Sequence, residues 1–120
     1  MAKLLATTYD GLDAALGHRM ERKIGHNTVA RHRGDLIVVR LHYTDIVQLR
    51  PNGAMNLNPG GFHTVTTKER INQFLPPTVG LTQKDWDWFL VSRKPGWEYR
   101  VPFRDFIEVD ADGRIVGVNA

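Results

Sequence analysis

A chain of 120 residues, 42% hydrophobic and 24% charged, has the size and composition of one globular domain, which argues against disorder and leaves too little chain for a second core. With no cysteine it holds neither a disulfide framework nor a thiolate metal site. The net charge of +3 is small but lopsided: residues 18–50 carry seven basic side chains against three acidic ones and four of the five histidines, whereas residues 84–114 carry six basic against seven acidic.

Residues 1–8 lack the apolar run of a signal peptide, and no stretch approaches the roughly 18 apolar residues of a membrane span, so the expected location is the cytoplasm. The first element in the chain is a short helix over residues 10–16, with Thr8 or Asp10 as cap, Leu12 and Leu16 at i and i+4, and Gly17 as a left-handed stop. Strand chemistry follows. Residues 28–33 and 36–43 flank Gly34-Asp35, a two-residue turn with glycine first. If Arg33 pairs with Leu36, one face carries Ala30, Ile37, Val39, Leu41 and Tyr43 and reads as core, while the other carries Arg31, Arg33, Val38, Arg40 and His42. Residues 45–50 form a further strand, Pro51-Asn52-Gly53 a turn, and residues 54–57 a return strand.

Thr66-Thr67-Lys68-Glu69 has the spacing of a capping box, so a helix is expected over residues 67–75, with Ile71, Phe74 and Leu75 as its apolar stripe and Pro76-Pro77 as its end. The last third returns to strands: 79–82, 86–92, 97–103, and 106–109 with 114–118 around an Asp-Ala-Asp-Gly turn. The expected fold is therefore mainly β with α+β character: a small antiparallel barrel or strongly bent sheet with one or two short helices. Residues 1–120 form a single domain, in which 1–22 are an N-terminal segment with a short helix and 23–120 the β-rich core.

Three stretches, Lys23-Ile24-Gly25-His26-Asn27-Thr28, Arg40-Leu41-His42-Tyr43-Thr44-Asp45-Ile46-Val47, and residues 57–72 (LNPGGFHTVTTKERIN), resemble a group of small uncharacterised proteins of phages that infect actinobacteria. That group has Asn where this chain has His26, and Trp-Arg where it has Phe62-His63. The resemblance implies a phage accessory protein made in the infected bacterial cytoplasm, and it brings no catalytic residues.

The functional candidates are few. Arg31, Arg33 and Arg40 on one sheet face, with His42 beside them and Lys68 at the second helix, form the best candidate for a nucleic-acid surface, because a polyanion needs repeated cations; the alternative is a solvated face. Against single-strand binding stands the lack of aromatics interleaved with these cations. Trp86, Trp88, Trp97 and Tyr99 read first as core. Exposed near the loop of residues 92–96, Trp88, Trp97 and Tyr99 would anchor a host protein. A trio of His42, His63 and Arg40 has the residue types for phosphodiester cleavage, but three residue types are not a site. The histidines lack metal-ligand spacing, the Asp-Ala-Asp-Gly segment lacks the later ligands of a calcium loop, and Asn58-Pro59-Gly60-Gly61 lacks a phosphate-loop lysine. No cofactor or metal is expected. The reading is a non-enzymatic phage protein binding nucleic acid. A host-protein modulator and a nucleic-acid-cleaving enzyme are the alternatives, and a homodimer through an edge strand stays open.

Overall fold

The computed structural model describes residues 3–118; the two residues at each end of the expected 1–120 domain lie outside the described residues. Helix α1 (Tyr9–Leu16) starts at Thr8, whose hydroxyl accepts from the Gly11 amide, and stops at Gly17 with φ +56, as its sequence predicts. Seven strands form one antiparallel sheet: β1 (Glu21–Gly25), β2 (Thr28–Arg33), β3 (Leu36–Leu41), β4 (Thr44–Leu49), β5 (Met55–Leu57), β9 (Ile107–Val109) and β10 (Ile115–Val118), in that spatial order. A second sheet holds β6 (Val79–Lys84), β7 (Asp87–Lys94) and β8 (Trp97–Pro102). Helix α2 (Val65–Asn72) links the two. The large sheet is strongly bent but does not close into a barrel.

One face of the large sheet is core. Arg33 pairs with Leu36 across the Gly34 turn, so Thr28, Ala30, Ile37, Val39 and Leu41 point the same way, and all are buried. They pack with Leu12 and Leu16 of α1 and with Ile71, Phe74 and Leu75 from α2 and the turn after it. Each large aliphatic side chain buried in this way contributes about 1.5–3 kcal/mol. The small sheet closes the core with Leu81, Trp88 and Leu90. Two polar contacts pin it to the end of the large sheet: the Ser92 hydroxyl donates to the Gly113 carbonyl (2.7 Å), and the Ile115 amide donates to the Tyr99 hydroxyl (2.7 Å).

Several boundaries differ from the sequence expectation. β1 was not foreseen, because Glu-Arg-Lys-Ile-Gly has a single apolar side chain and, at the sheet edge, needs only one. β3 stops at Leu41, and His42-Tyr43 form a two-residue reversal with His42 at φ +55; Tyr43 is therefore 97% exposed, not core. β6 and β7 are joined at Asp85-Trp86, both at positive φ, which moves Trp86 from a strand to an exposed turn. α2 begins at Val65, two residues before the expected start at residue 67, capped by Thr64 in place of Thr66; the Thr64 hydroxyl accepts from the Thr67 amide (3.1 Å) and donates to the Thr67 hydroxyl (3.0 Å). The last turn expected for α2 is lost at Gln73, ahead of the two prolines. Asp110 caps its own turn by accepting from the amides of Asp112 and Arg114, the role expected of a turn residue.

At the other edge of the small sheet, the Asn72 amide group both accepts from the Leu81 N–H (2.7 Å) and donates to the Leu81 C=O (2.9 Å). A side chain thus occupies the place of a neighbouring strand.

Candidate functional site

The outer face of the large sheet gathers the basic residues. Strand pairing sets Glu21, Arg31, Val38, Gln48, Asn56 and Glu108 in one row across β1, β2, β3, β4, β5 and β9. Lys23, Val29 and Arg40 make the next row, and Arg33 with Leu36 the row on the other side. Val38 is fully buried yet stands outside the main core cluster; Arg31 and Gln48 flank it, and their stems are the groups placed to cover it.

Two of the arginines here are already neutralised. A bulge in the β3–β4 ladder shifts the register so that Arg40 faces Asp45, with Nε 3.0 Å from the carboxylate, while both Ile46 and Val47 turn into the core. Arg50 donates to Glu108 at 2.7 Å and to Asn56 at 2.8 Å. Among the described residues Lys23, Arg31 and Arg33 make no ion pair, although Glu21 lies opposite Arg31 in register. Lys23 and Arg33 are exposed and Arg31 half-buried.

At one end of this sheet the chain builds a groove of about 440 Å³, within the range of small-ligand pockets. It is lined by Leu41, His42, Tyr43 and Thr44 of the β3–β4 hairpin, by Pro59 and Phe62, and by Thr64, Thr66 and Thr67 at the start of α2. Three stretches remote in sequence, 23–28, 40–47 and 57–72, make this end. The His42 amide donates to the Asn27 carbonyl (2.9 Å), joining the β3–β4 tip to the β1–β2 tip. Gly60, at φ +63, has Thr44 Cγ2 2.5 Å from where a Cβ would project, so only glycine lets the loop lie this close to β4. From beneath, Arg70 of α2, 2% exposed, donates to the His26 carbonyl (3.1 Å) and to the Gln73 side chain (2.9 Å). Burial pushes its guanidinium below the usual arginine value.

The structure therefore regroups the residues predicted to bind. Arg31, Arg33 and Arg40 do share the outer face. His42 leaves it for the hairpin tip and the groove, and Lys68 is half-buried on α2. Trp88 is 4% exposed, sandwiched by His63 (4.5 Å between ring centroids) and edge-on to Phe103, so it is not displayed to a partner. Its indole N–H is buried without a hydrogen-bond partner among the described residues. Trp97 is 37% exposed and rests against Tyr99, whose hydroxyl is engaged by Ile115. Arg40 is paired with Asp45 and His63 is stacked on Trp88, while His42 lines the groove at the hairpin tip. Tyr43 and Phe62, missed as surface aromatics, flank the groove at 97% and 60% exposure. Glycines at 60 and 61 were the one visible sign that Phe62 sits on an irregular loop.

Residues 9–112 match the model of the Kyanoviridae Gp96 protein family. No curated protein and no solved structure matches the chain. The match carries the phage origin that the resemblance implied, without the actinobacterial hosts or the particular motifs. With nearly all of α1 through the final turn inside the matched region, the chain belongs to this phage protein family.

Proposed function

We propose that this member of the Kyanoviridae Gp96 family is a non-enzymatic binding protein that holds nucleic acid, inside the infected bacterium, on the outer face of its large sheet. The observation that supports the reading is the pairing pattern of the cations. Arg40 and Arg50 each have a carboxylate at hydrogen-bond distance, whereas Lys23, Arg31 and Arg33 stand on the same outer face with no ion pair among the described residues. Unneutralised cations repeated along a strand are what phosphates exchange their counterions for. Arg31 and Arg33 lie two residues apart, about 7 Å along β2.

The alternative of a host-protein modulator draws on surface aromatics; Trp88 is buried, which leaves it Trp97 and Tyr99 together with the exposed Trp86. The cleavage alternative draws on His42, His63 and Arg40, of which Arg40 is held by Asp45 and His63 by Trp88.

The test is a titration of labelled DNA and RNA at low and physiological salt. The reading expects binding whose logarithm falls linearly with the logarithm of salt. The slope should drop by about one for each of Arg31→Ala and Arg33→Ala, and by less for Arg40→Ala, whose charge Asp45 already balances. Absence of binding at low salt would overturn it, and affinity capture of a host protein would then take its place. Turnover lost on substituting His42 and His63 would point to the enzyme instead.

A further inference from the structure

We infer that the nucleic acid held on this face is single-stranded, and that the groove at the end of the sheet receives one of its unstacked bases. The inference rests on the nucleic-acid reading above and deepens it.

The cations form a path that leads to the groove. Along the outer face the strand pairing orders them as Arg33, then Arg31, then the row of Lys23 and Arg40; beyond that row come the last pair, Thr28 and Leu41, and the His26-Asn27 and His42-Tyr43 tips. His42 and Tyr43 are themselves part of the groove wall, while Leu41 and Ile46 of the lining belong to the core face, so a chain that follows the cations to the sheet end enters the groove by passing around this tip. There it meets two aromatic rings that the fold leaves in water, Tyr43 and Phe62. The lining is Leu41, Ile46 and Pro59, with the hydroxyl-bearing Thr44 and Thr66 at hand to meet the edge of a base. In sequence, cations and aromatics did not interleave; in space they lie end to end, the combination used by single-strand binders, in which a charged track holds the backbone and rings hold bases. Duplex offers the same phosphates, but its bases are stacked inside and leave the groove empty.

The rings are also free to serve. Tyr43 sits on a tip whose geometry is set by backbone, with His42 donating to Asn27 and Leu41 pairing with Thr44, so its side chain carries no part of the fold.

The experiment compares four fluorescein-labelled probes of about fifteen nucleotides: oligo-dT, the matching single-stranded RNA, a blunt DNA duplex, and an abasic deoxyribose-phosphate chain. Each is titrated by anisotropy against the full chain, the Tyr43→Ala/Phe62→Ala variant and the Arg31→Ala/Arg33→Ala variant, with thermal melts confirming that each variant is folded. The expected result is that oligo-dT or the RNA binds about tenfold or more tighter than the abasic chain and the duplex. The aromatic variant should erase that difference while keeping the salt-dependent binding of the abasic chain, and the arginine variant should weaken all probes. Tyr43→Trp should retain binding and show fluorescence quenching on addition of oligo-dT. If single strand, duplex and abasic chain bind alike, or if the single-strand preference survives loss of both rings, the base groove is wrong while the nucleic-acid reading stands. If no probe binds at low salt, the nucleic-acid reading fails and this inference fails with it.

Discussion

His42-Tyr43 and Asp85-Trp86 are both two-residue reversals that put a non-glycine residue at positive φ and hold an aromatic ring in water, yet they keep different company. The first is tied by a backbone hydrogen bond to the neighbouring β1–β2 tip, stands at the end of a row of cations, and forms one wall of a groove. The second closes the β6–β7 hairpin of the small sheet, with Trp86 89% exposed at φ +73. A bulky side chain at positive φ costs about 1–2 kcal/mol wherever it occurs. Similar strain and similar exposure thus occur at two tips whose surroundings differ.

Three experiments sharpen or break that contrast. The largest effect should come from Arg70→Met, which withdraws the buried guanidinium supporting the His26 carbonyl from below. A loss of about 3 kcal/mol is expected, read from the urea midpoint, together with faster amide exchange at the His26-Asn27 and His42-Tyr43 tips. Unchanged exchange there would mean the groove end is held by the ladder alone. Next, Trp86→Gly should raise stability by about 0.5–1 kcal/mol, the relief of strain being partly offset by glycine's larger unfolded entropy, and should leave oligonucleotide binding untouched. A fall in binding would place Trp86 in the functional surface and dissolve the contrast between the two tips.

The smallest effect belongs to a third tip. Tyr9 donates its hydroxyl to the Asp35 carbonyl (2.7 Å), fastening α1 to the Gly34-Asp35 turn. Loss of hydration, then the charges of Asp13, Asp35 and Asp10, raise its pKa above the ordinary tyrosine value. The folded state thus keeps the proton longer than the unfolded chain. Stability from this source is whole below the unfolded value near 10 and declines as pH rises through it. Thermal melts between about pH 8 and pH 11 should show that decline in the native chain and a shallower one in Tyr9→Phe; identical profiles would assign the alkaline loss to other groups.

Much of the architecture was legible because its signals are local. Gly34 forced the β2–β3 turn and with it the Arg33–Leu36 register, and the alternation of residues 36–41 then named the core face. Met55 and Leu57 with Asn56 between them did the same for β5. The reversals at His26-Asn27, His42-Tyr43 and Asp85-Trp86 carry no glycine or proline; they are imposed by the strands they join, and strand pairing is not visible in a single sequence. The outer-face arginines followed from alternation alone. Which of them is free did not, since the partner of Arg40 depends on a bulge and that of Arg50 is 58 residues away. The groove is wholly a product of tertiary structure, lined by two separated stretches, 41–46 and 59–67.

The clasp of Asn72 on Leu81 changes what the β6 margin offers to another strand. A bare strand margin is adhesive, because its alternate N–H and C=O groups invite another chain to continue the ladder. On β6 the centre of that margin is occupied by an amide from the protein's own helix, at the geometry an incoming strand would need. Strand addition along β6 would first have to displace this amide.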